Sequence, residues 1–600
     1  MTTAARKQHA AIPGRPSIPE DVLAQAQADR AVIQDFVPLA DSLEWQLGQE
    51  YLRQRGNKAF LADAHPVPFV VNNDGSLSEN AAAVFFASLT EAEQAGALPS
   101  GDLFVLELGI GVGLFARFFL DGFRDLCASK KKDYYDRLTY IAADRSERML
   151  QDVARHGVLA GHPGRYRLRL VDALQPGALL PRDFMFCGCT GKPLRAVFLN
   201  YLLDCLPAAV LEVEGESVKQ LCVRTCLARG VRLEDHTDLS AQQLAKRATS
   251  TDPRHRDDLL EVYGLFASEY DYRPVGPNTL PYADFALPYA RSHSKRLLHS
   301  WGALQSLERL LDLVPDDGFI LVNDYGETKA SREDTFEHQR FSLATFVGLN
   351  FPLLKAYFSQ GERCQYLEPS GDDERGIHSR LLGKQVGYDT RLAFQERFGK
   401  ATFDHTQEPL TRARECARVG RFELAATFYQ EALKRQRRNW VLLNEVSLFL
   451  TFSLRNPKAG VDMAKFALTL NPACSSELWN TLGDGLFEWG RFAEAQSAYE
   501  RAIRVNDSDV RARYNLAWVH QATGHYEQAL LALAEAMALD KTGEYAERLS
   551  QKQAEVRAQL ARRHQQEYLR MVNLVSRSAR PEADKDKDAA EQAPPDPRTR

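Results

Sequence analysis

The sequence has few of the features that mark metalloproteins, membrane proteins and exported proteins. Its nine cysteines are scattered, and the closest pairs, Cys187 with Cys189 and Cys222 with Cys226, have neither the two-by-two spacing nor the histidine partners of a zinc site. No apolar run approaches the roughly 20 residues of a membrane span, and residues 1–19 contain no apolar targeting stretch. We therefore expect a cytoplasmic chain with no metal and no membrane partner.

The sequence also lacks a large excess of charge of either sign. The 75 basic and 80 acidic residues nearly cancel, leaving a formal net charge of -5. Because no global field attracts the chain to polyanions, we expect no nucleic-acid partner. The 600 residues, 44% of them hydrophobic, exceed what one core usually organises, which favours a folded protein of two or more domains.

Composition and periodicity divide the chain into five parts. The ends, 1–19 and 578–600, are low in apolar residues and are predicted to be disordered. Residues 20–100 have a mainly helical pattern and are interpreted as a helical cap. An α/β domain is predicted over 101–400 with an insertion around 205–310, and a helical repeat domain is predicted over 408–565.

The α/β prediction depends on short apolar runs that alternate with helical patterns. These runs do not alternate polar with apolar residues, which is typical of parallel strands buried on both faces. The rhythm predicts a doubly wound, Rossmann-like sheet with ligand sites at the carboxyl ends of its strands. Near Arg363, two further strand patterns flank a turn and predict an antiparallel hairpin. The predicted parallel strands read LFVLEL, LTYIAA, RLRLVD, RAVFLN and GFILVND.

A repeat begins near Thr411. Gly420, Gly490 and Gly524 each precede an Ala-rich helix, and the last two lie 34 residues apart. These segments resemble tetratricopeptide repeats, which are helical hairpins stacked into an all-α solenoid. The resemblance implies a protein or peptide partner, and it implies a repeat domain that folds around its own core.

A glycine-rich turn follows the first predicted strand, with Glu107, Gly109, Gly111 and Gly113 in the pattern E-x-G-x-G-x-G. Glycine lets the backbone approach a ligand closely. Leu114 occupies the position where a dinucleotide fingerprint has Gly or Ala, which disfavours NAD. The turn resembles motif I of class I S-adenosylmethionine-dependent methyltransferases.

Polar residues follow at the ends of the next strands in the order that this resemblance requires. By resemblance, Asp144 accepts hydrogen bonds from the ribose, Asp172 and Ala173 contact the adenine, and Asn200 faces the methyl donor. The cofactor implied is S-adenosylmethionine. A tight turn and solvated strand ends without a ligand are the alternative interpretation.

The segment Asn200 to Pro207 reads NYLLDCLP and resembles the N-E-L-L-D-A-L-P motif of the MidA-like family of methyltransferases, which includes complex I assembly factors. Asn323 to Gly326 matches that family's D-Y-G motif. The resemblance implies orienting or proton-accepting roles for Asp204 and Asp324, with Tyr325 lining the acceptor pocket; fixing the loops is the alternative. Tyr201 replaces the family's glutamate, which puts a guanidinium acceptor in doubt.

These features favour a methyltransferase that acts on a protein recruited by the repeats. The alternatives are a degenerate methyltransferase fold that serves as a scaffold, and an enzyme that methylates a small molecule. Asn444, Asn480 and Asn515 recur near the repeat period, and one amide per repeat can pair with a peptide backbone in the groove. The same amides can instead brace neighbouring helices.

Overall fold

The computed structural model describes most of the chain. The described ranges are 31–61, 74–179, residue 192, 194–275, 279–293, 295–329, 339–341, 344–372, 376–540 and 543–578. The two ends predicted to be disordered, the Cys187–Cys189 pair and the predicted loop at Pro66 to Pro68 lie outside these ranges, except for residue 578.

The described N-terminal residues begin with a strand where the sequence predicts a mainly helical cap, so the prediction is wrong for this segment. Val32–Pro38 pairs antiparallel with a strand of the insertion, at Cys222 to Cys226, about 190 residues further along the chain. Val, Ile and Phe in this segment suit a pleated surface, and their partner is too distant in sequence to leave a local signal. The elements are β1 (Val32–Pro38), α1 (Leu43–Arg55), α2 (Lys58–Leu61) and α3 (Ser76–Gln94).

The central α/β unit follows, with strands formed where the apolar runs predicted them. The elements are β2 (Leu103–Leu108), α4 (Leu114–Lys130), β3 (Leu138–Asp144), α5 (Glu147–Arg155), β4 (Tyr166–Leu170) and β5 (Leu194–Asn200). The insertion contains β6 (Ala209–Glu214), β7 (Ser217–Leu227), α6 (Ala241–Ala248), α7 (Pro253–Glu261), β8 (Phe266–Pro274), α8 (Ala283–His293) and β9 (Arg296–His299).

The chain then returns to the central sheet and closes it. The elements are α9 (Trp301–Leu311), β10 (Phe319–Asp324), β11 (Gly326–Glu327), β12 (Gln339–Phe341), β13 (Ala344–Phe346), β14 (Leu349–Asn350), α10 (Phe351–Ser359), β15 (Gln365–Leu367), β16 (His378–Gly383) and α11 (Tyr388–Phe398).

The central sheet has seven strands in the order β15-β16-β10-β5-β2-β3-β4. The strands from β10 to β4 are parallel, and β16 is antiparallel to both β10 and β15. This confirms the predicted doubly wound class and the closing hairpin. The strand order reverses between β2 and β5, which places a crevice at the carboxyl ends of these two strands.

The insertion forms its own sheet in the order β1-β7-β6-β9, and β8 pairs with the other edge of β7. β1 and β6 both pair with β7, at its C-terminal and N-terminal parts respectively. The N-terminal segment and the insertion therefore share one sheet.

The C-terminal arm consists of paired helices, as the repeat pattern predicts. Gly420, Gly490 and Gly524 occupy the turns within three hairpins, each with a positive φ that a residue with a side chain rarely adopts. The helices are α12 (Lys400–Arg418), α13 (Phe422–Arg435), α14 (Trp440–Leu448, followed by a π-turn at Phe449–Ser453), α15 (Pro457–Leu470), α16 (Ser476–Glu488), α17 (Phe492–Val505), α18 (Val510–Ala522), α19 (Tyr526–Leu539) and α20 (Ala546–Ser578).

The arm has buried clusters of its own, which run from Leu410 to Phe449 and from Ala517 to Val556, but its middle repeats share a core with the α/β unit. One buried hydrophobic cluster runs from Phe85 and Phe118 in the α/β unit to Trp440 and Val461 in the arm. The repeats therefore bury apolar surface of the α/β unit as well as their own.

The loops between successive hairpins of the arm also form polar contacts with α3 and α4. Arg438 pairs with Glu79 on α3 and with Asp125 on α4. Arg117 on α4 donates to the carbonyl oxygens of Leu470 and Thr469 at 2.7 and 2.6 Å. These carbonyls end α15, where a cation satisfies unpaired acceptors and complements the helix dipole.

Candidate functional site

The glycine-rich turn and Asp144 form the half of the crevice where the sequence predicts a cofactor, and this half is called the cofactor half. Gly109, Gly111 and Gly113 all have positive φ, and Gly113 is the N-cap of α4. A Cβ on Gly109 would press on Leu202 at 3.2 Å, and one on Gly113 would press on Val153 at 3.2 Å. A Cβ on Gly111 would meet nothing within 4 Å. Gly109 and Gly113 are therefore required by packing, whereas Gly111 faces open space where a ligand can approach.

Asp144 lies at the end of β3, beside this turn. Its carboxylate accepts a hydrogen bond from the Ser146 amide at 2.8 Å, and burial raises its pKa while the amides of Ser146 and Gly111 oppose the rise. Asp172 follows β4, is exposed, and accepts from the Leu174 amide at 2.8 Å. Its neighbour Ala173 is buried.

Glu107 begins a chain of buried hydrogen bonds that crosses five strands. It accepts from Tyr140 on β3 at 2.9 Å and from the Asn200 amide on β5 at 3.4 Å. Asn323 donates to the Asn200 oxygen at 2.9 Å, and Ser379 donates to Asn323 at 2.7 Å. Strand register causes this row, because Asn323 lies opposite both Asn200 and Ser379. Burial raises the pKa of Glu107 to about 8.

The row changes the interpretation of two residues. Glu107 and Asn200 were predicted to hold cofactor, but their side chains are buried and bonded to each other. Asn200 has a second amide hydrogen beyond the one that Glu107 accepts, so it keeps a donor for a ligand.

The other half lies where β5 and β10 end, and it is called the acceptor half because the sequence predicts the acceptor pocket there. Asp324 is fully buried, and its carboxylate accepts from the amides of Leu203, Asp204 and Tyr325 at 2.9, 3.3 and 2.9 Å. Burial, followed by the nearby Asp204 charge, raises the pKa of Asp324 well above its usual range. These hydrogen bonds show that Asp324 holds the 203–204 loop in place.

Asp204 accepts a hydrogen bond from the Cys205 thiol at 3.2 Å, and burial raises its pKa to about 6. Tyr201 and Tyr325 pack against each other with ring centroids 5.0 Å apart. Tyr201 has a φ of +50°, a strained conformation for a bulky residue. An aromatic pair thus lies at the ends of β5 and β10.

Sequence reasoning missed Gln49 on α1, which bridges the crevice. Its side-chain oxygen accepts from Arg145, directly after Asp144, at 2.7 Å, and its amide donates to the Cys205 carbonyl at 3.1 Å. The loops after β3 and β5 are thereby linked. A single glutamine in a polar helix gives no sequence signal for this role.

A cavity of about 690 Å³ lies beside the acceptor half. It is at the same edge of the sheet, because Thr328 follows β10 closely and Asp372 bonds His378, which pairs with Asp324. Its volume suits a small molecule or one protein side chain. The lining residues are Tyr289, His293, Thr328, Lys329, Pro352, Lys355, Ala356, Ser359, Glu368, Pro369, Gly371 and Asp372.

The repeat asparagines are not part of this crevice. Asn444, Asn480 and Asn515 donate to Glu477, Asp509 and Asp484 at 3.1, 2.8 and 2.9 Å. Each amide therefore ties one helix of the arm to another. Among the described residues, no group of His, Cys, Asp and Glu is arranged to hold a metal. No helix of the described ranges is long and apolar enough to cross a bilayer.

Comparison with known proteins bears mainly on the arm. Residues 486–562 match the tetratricopeptide-repeat family model. Peroxisomal targeting signal receptors are similar over part of the chain: 35% identical over 185 residues in Kluyveromyces lactis, which is 30% of this chain and 31% of that protein. The Candida glabrata receptor is 41% identical over 87 residues, 14% of either protein. The chain thus matches less than a third of the length of these receptors.

Among solved structures, the MamA protein is 20% identical with a TM-score of 0.24, covering 32% of this chain and 99% of that one. A candidate methyl transferase from Burkholderia thailandensis, bound to S-adenosyl-homocysteine, is 12% identical with a TM-score of 0.36, covering 59% of this chain and 90% of that one. The predicted architecture, a doubly wound α/β sheet followed by tetratricopeptide repeats, is confirmed.

Proposed function

We propose that this protein is an S-adenosylmethionine-dependent methyltransferase whose substrate is a protein recruited by the repeat arm. The open approach at Gly111, beside Asp144 and at the point where strand order reverses, carries the proposal. Gly109, Gly111 and Gly113 form the turn under the cofactor. Asp144 accepts hydrogen bonds from the ribose hydroxyls, and Asp172 with Ala173 flanks the adenine.

Bound S-adenosylmethionine supplies an electrophilic methyl group, so the protein mainly needs to align the acceptor and accept its proton. Asn200 offers its remaining amide hydrogen at the boundary of the two halves. Asp204 is assigned as the proton acceptor, since burial raises its pKa to about 6 and so brings it closer to neutral pH. Asp324 holds the loop that carries Asp204, and Tyr325 with Tyr201 lines the acceptor side.

The repeat arm is proposed to select the substrate by binding a peptide in its groove, where Asn444, Asn480 and Asn515 lie on the first helices of their hairpins. Their amide nitrogens bond carboxylates within the arm, and the side-chain oxygens of Asn444 and Asn480 are buried. The partly buried Asn515 is therefore the one of the three proposed to contact a peptide. Methylation of a small molecule is the second candidate, favoured by the 690 Å³ cavity.

Isothermal titration of the full chain with S-adenosylmethionine tests the enzyme against a scaffold that does not bind it. Labelled methyl transfer into lysate, separated into protein and small-molecule fractions, then tests the substrate class. Label in protein supports the proposal, and label confined to small molecules supports the second candidate. Absence of cofactor binding by the folded chain would contradict both.

A further inference from the structure

The last helix extends beyond the arm. Leu549 and Val556 on α20 are buried in the cluster that α19 forms, but every residue from Ala561 to Ser578 is exposed. At about 1.5 Å per residue, this projecting segment is roughly 27 Å long. Because helices in proteins gain most of their stability from packing of an amphipathic face, a surface that covers this segment would stabilise it.

The projecting segment has a continuous apolar row. Tyr568, Met571, Val572 and Val575 recur at the spacing that places side chains on one face of a helix, and they are 64%, 58%, 41% and 69% exposed. Large apolar side chains exposed together mark an interaction surface.

The other side of the segment is basic. Arg563, Arg570 and Arg577 follow one another at intervals of seven residues and lie on one side, away from the apolar row. Arg562 adds a fourth positive charge, and Glu567 is the only acidic residue between 561 and 578. Arg563 pairs with Glu567 at 3.0 Å and donates to the Gly524 carbonyl of the arm at 2.9 Å, so Arg562, Arg570 and Arg577 carry the excess positive charge. This local excess of positive charge contrasts with the formal net charge of -5 of the whole chain.

Charge and composition select among the possible occupants. A second copy packed against the apolar row would leave the arginines on the far side of the helix facing water, without negatively charged partners. Residues 579–600 contain no apolar side chain larger than proline, so they offer little to fill the row. A surface with negative charge at its boundary and hydrocarbon beneath satisfies both sides of the helix.

We propose that the projecting half of α20 binds an anionic membrane surface. The apolar row lies at the boundary between headgroups and acyl chains, while the arginine side chains extend along the helix to the lipid phosphates. The expectation of no membrane partner came from the lack of spanning segments, which does not apply to a helix lying on the surface. This inference is independent of the proposed methyl transfer.

Vesicle flotation of the full chain tests the proposal. Vesicles of phosphatidylcholine mixed with phosphatidylglycerol should carry the protein at low salt and release most of it at high salt, because exposed charges are screened. Vesicles of phosphatidylcholine alone should bind it weakly. No flotation with the mixed vesicles would overturn the proposal.

A matched pair of variants separates the apolar row from general charge attraction. Val575→Glu and Asn573→Glu change the net charge equally, at neighbouring exposed positions that leave the fold intact, but only the first places a carboxylate in the apolar row. Val575→Glu should weaken vesicle binding about tenfold more than Asn573→Glu does. Equal losses would overturn the proposed orientation. A dimer in solution that Val575→Glu dissociates, without vesicle binding, would assign the row to a second copy.

Discussion

The two halves of the crevice differ in how many of their functional groups are already engaged in contacts within the protein. The cofactor half presents an open glycine and a carboxylate beside it, with the arm packed behind α4. In the acceptor half, Asp324 is fully engaged by backbone amides and two tyrosines stack over the strand ends. The cofactor half therefore has open space beside Gly111 that a ligand can occupy. In the acceptor half, Asp324 and the two tyrosines are held by contacts within the protein.

The largest expected effect concerns the arm's support of the cofactor half. A chain shortened to end at Lys400 exposes the shared apolar cluster and removes the partners of Arg117. We expect this chain to aggregate or to lose cofactor binding, measured by light scattering and titration. A soluble monomer with unchanged cofactor affinity would show that the arm is a separate domain after all.

A side chain on the open glycine should abolish cofactor binding while the protein stays folded. We expect Gly111→Val to lower affinity for S-adenosylmethionine more than a hundredfold, because the valine occupies the ligand's approach. Gly96→Val is the matched control, since Gly96 also has a positive φ and open surroundings but lies after α3. Similar affinities for the two variants would refute the assignment of Gly111.

Removing the neighbouring carboxylate should have a smaller effect. Asp144→Ala should weaken cofactor binding about ten- to a hundredfold, the loss expected for hydrogen bonds to a charged group. Isothermal titration measures this change. Unchanged affinity would remove Asp144 from the ribose site.

In the acceptor half, we expect a loss of stability rather than of cofactor affinity. Asp324→Ala leaves buried amides of the 203–204 loop without an acceptor, at a cost of about 1–3 kcal/mol each. Thermal denaturation and cofactor titration together test this. If the variant is as stable as the natural protein but inactive, Asp324 acts in catalysis and not in fixing the loop.

The row that joins the halves should make the stability of the protein depend on pH. The pKa of Glu107 is raised by burial to about 8, so the folded state binds its proton more tightly than the unfolded state does. Its contribution to stability is full below about pH 4.5 and is lost as pH rises towards 8. Relative to Glu107→Gln, the natural protein should lose up to about 1.4 kcal/mol per pH unit over that range. If the free energy of unfolding has the same pH dependence in the natural protein and in Glu107→Gln, Glu107 is ionised over this whole pH range.

Sequence reasoning predicted what depends on local pattern. The apolar runs located β2, β3, β4, β5 and β10, and repeating glycines located the hairpins of the arm. The pairing of β1 with β7 and the bonds of Arg117 to Leu470 join residues far apart in the chain, so no periodicity encodes them. The site was predicted in the same way: strand ends supplied the candidate residues, but their bonds to one another required the register of the sheet.

The Gln49 bridge has a consequence for rates. Since its side chain links the loops after β3 and β5, a ligand that enters between those loops must wait for α1 to move or for the bridge to break. Such a gate slows arrival and departure alike and leaves the equilibrium affinity nearly unchanged. The turnover rate would then be limited by how often α1 moves to let the used cofactor leave. Substitutions in α1 would change this rate without changing the rate of the chemical step.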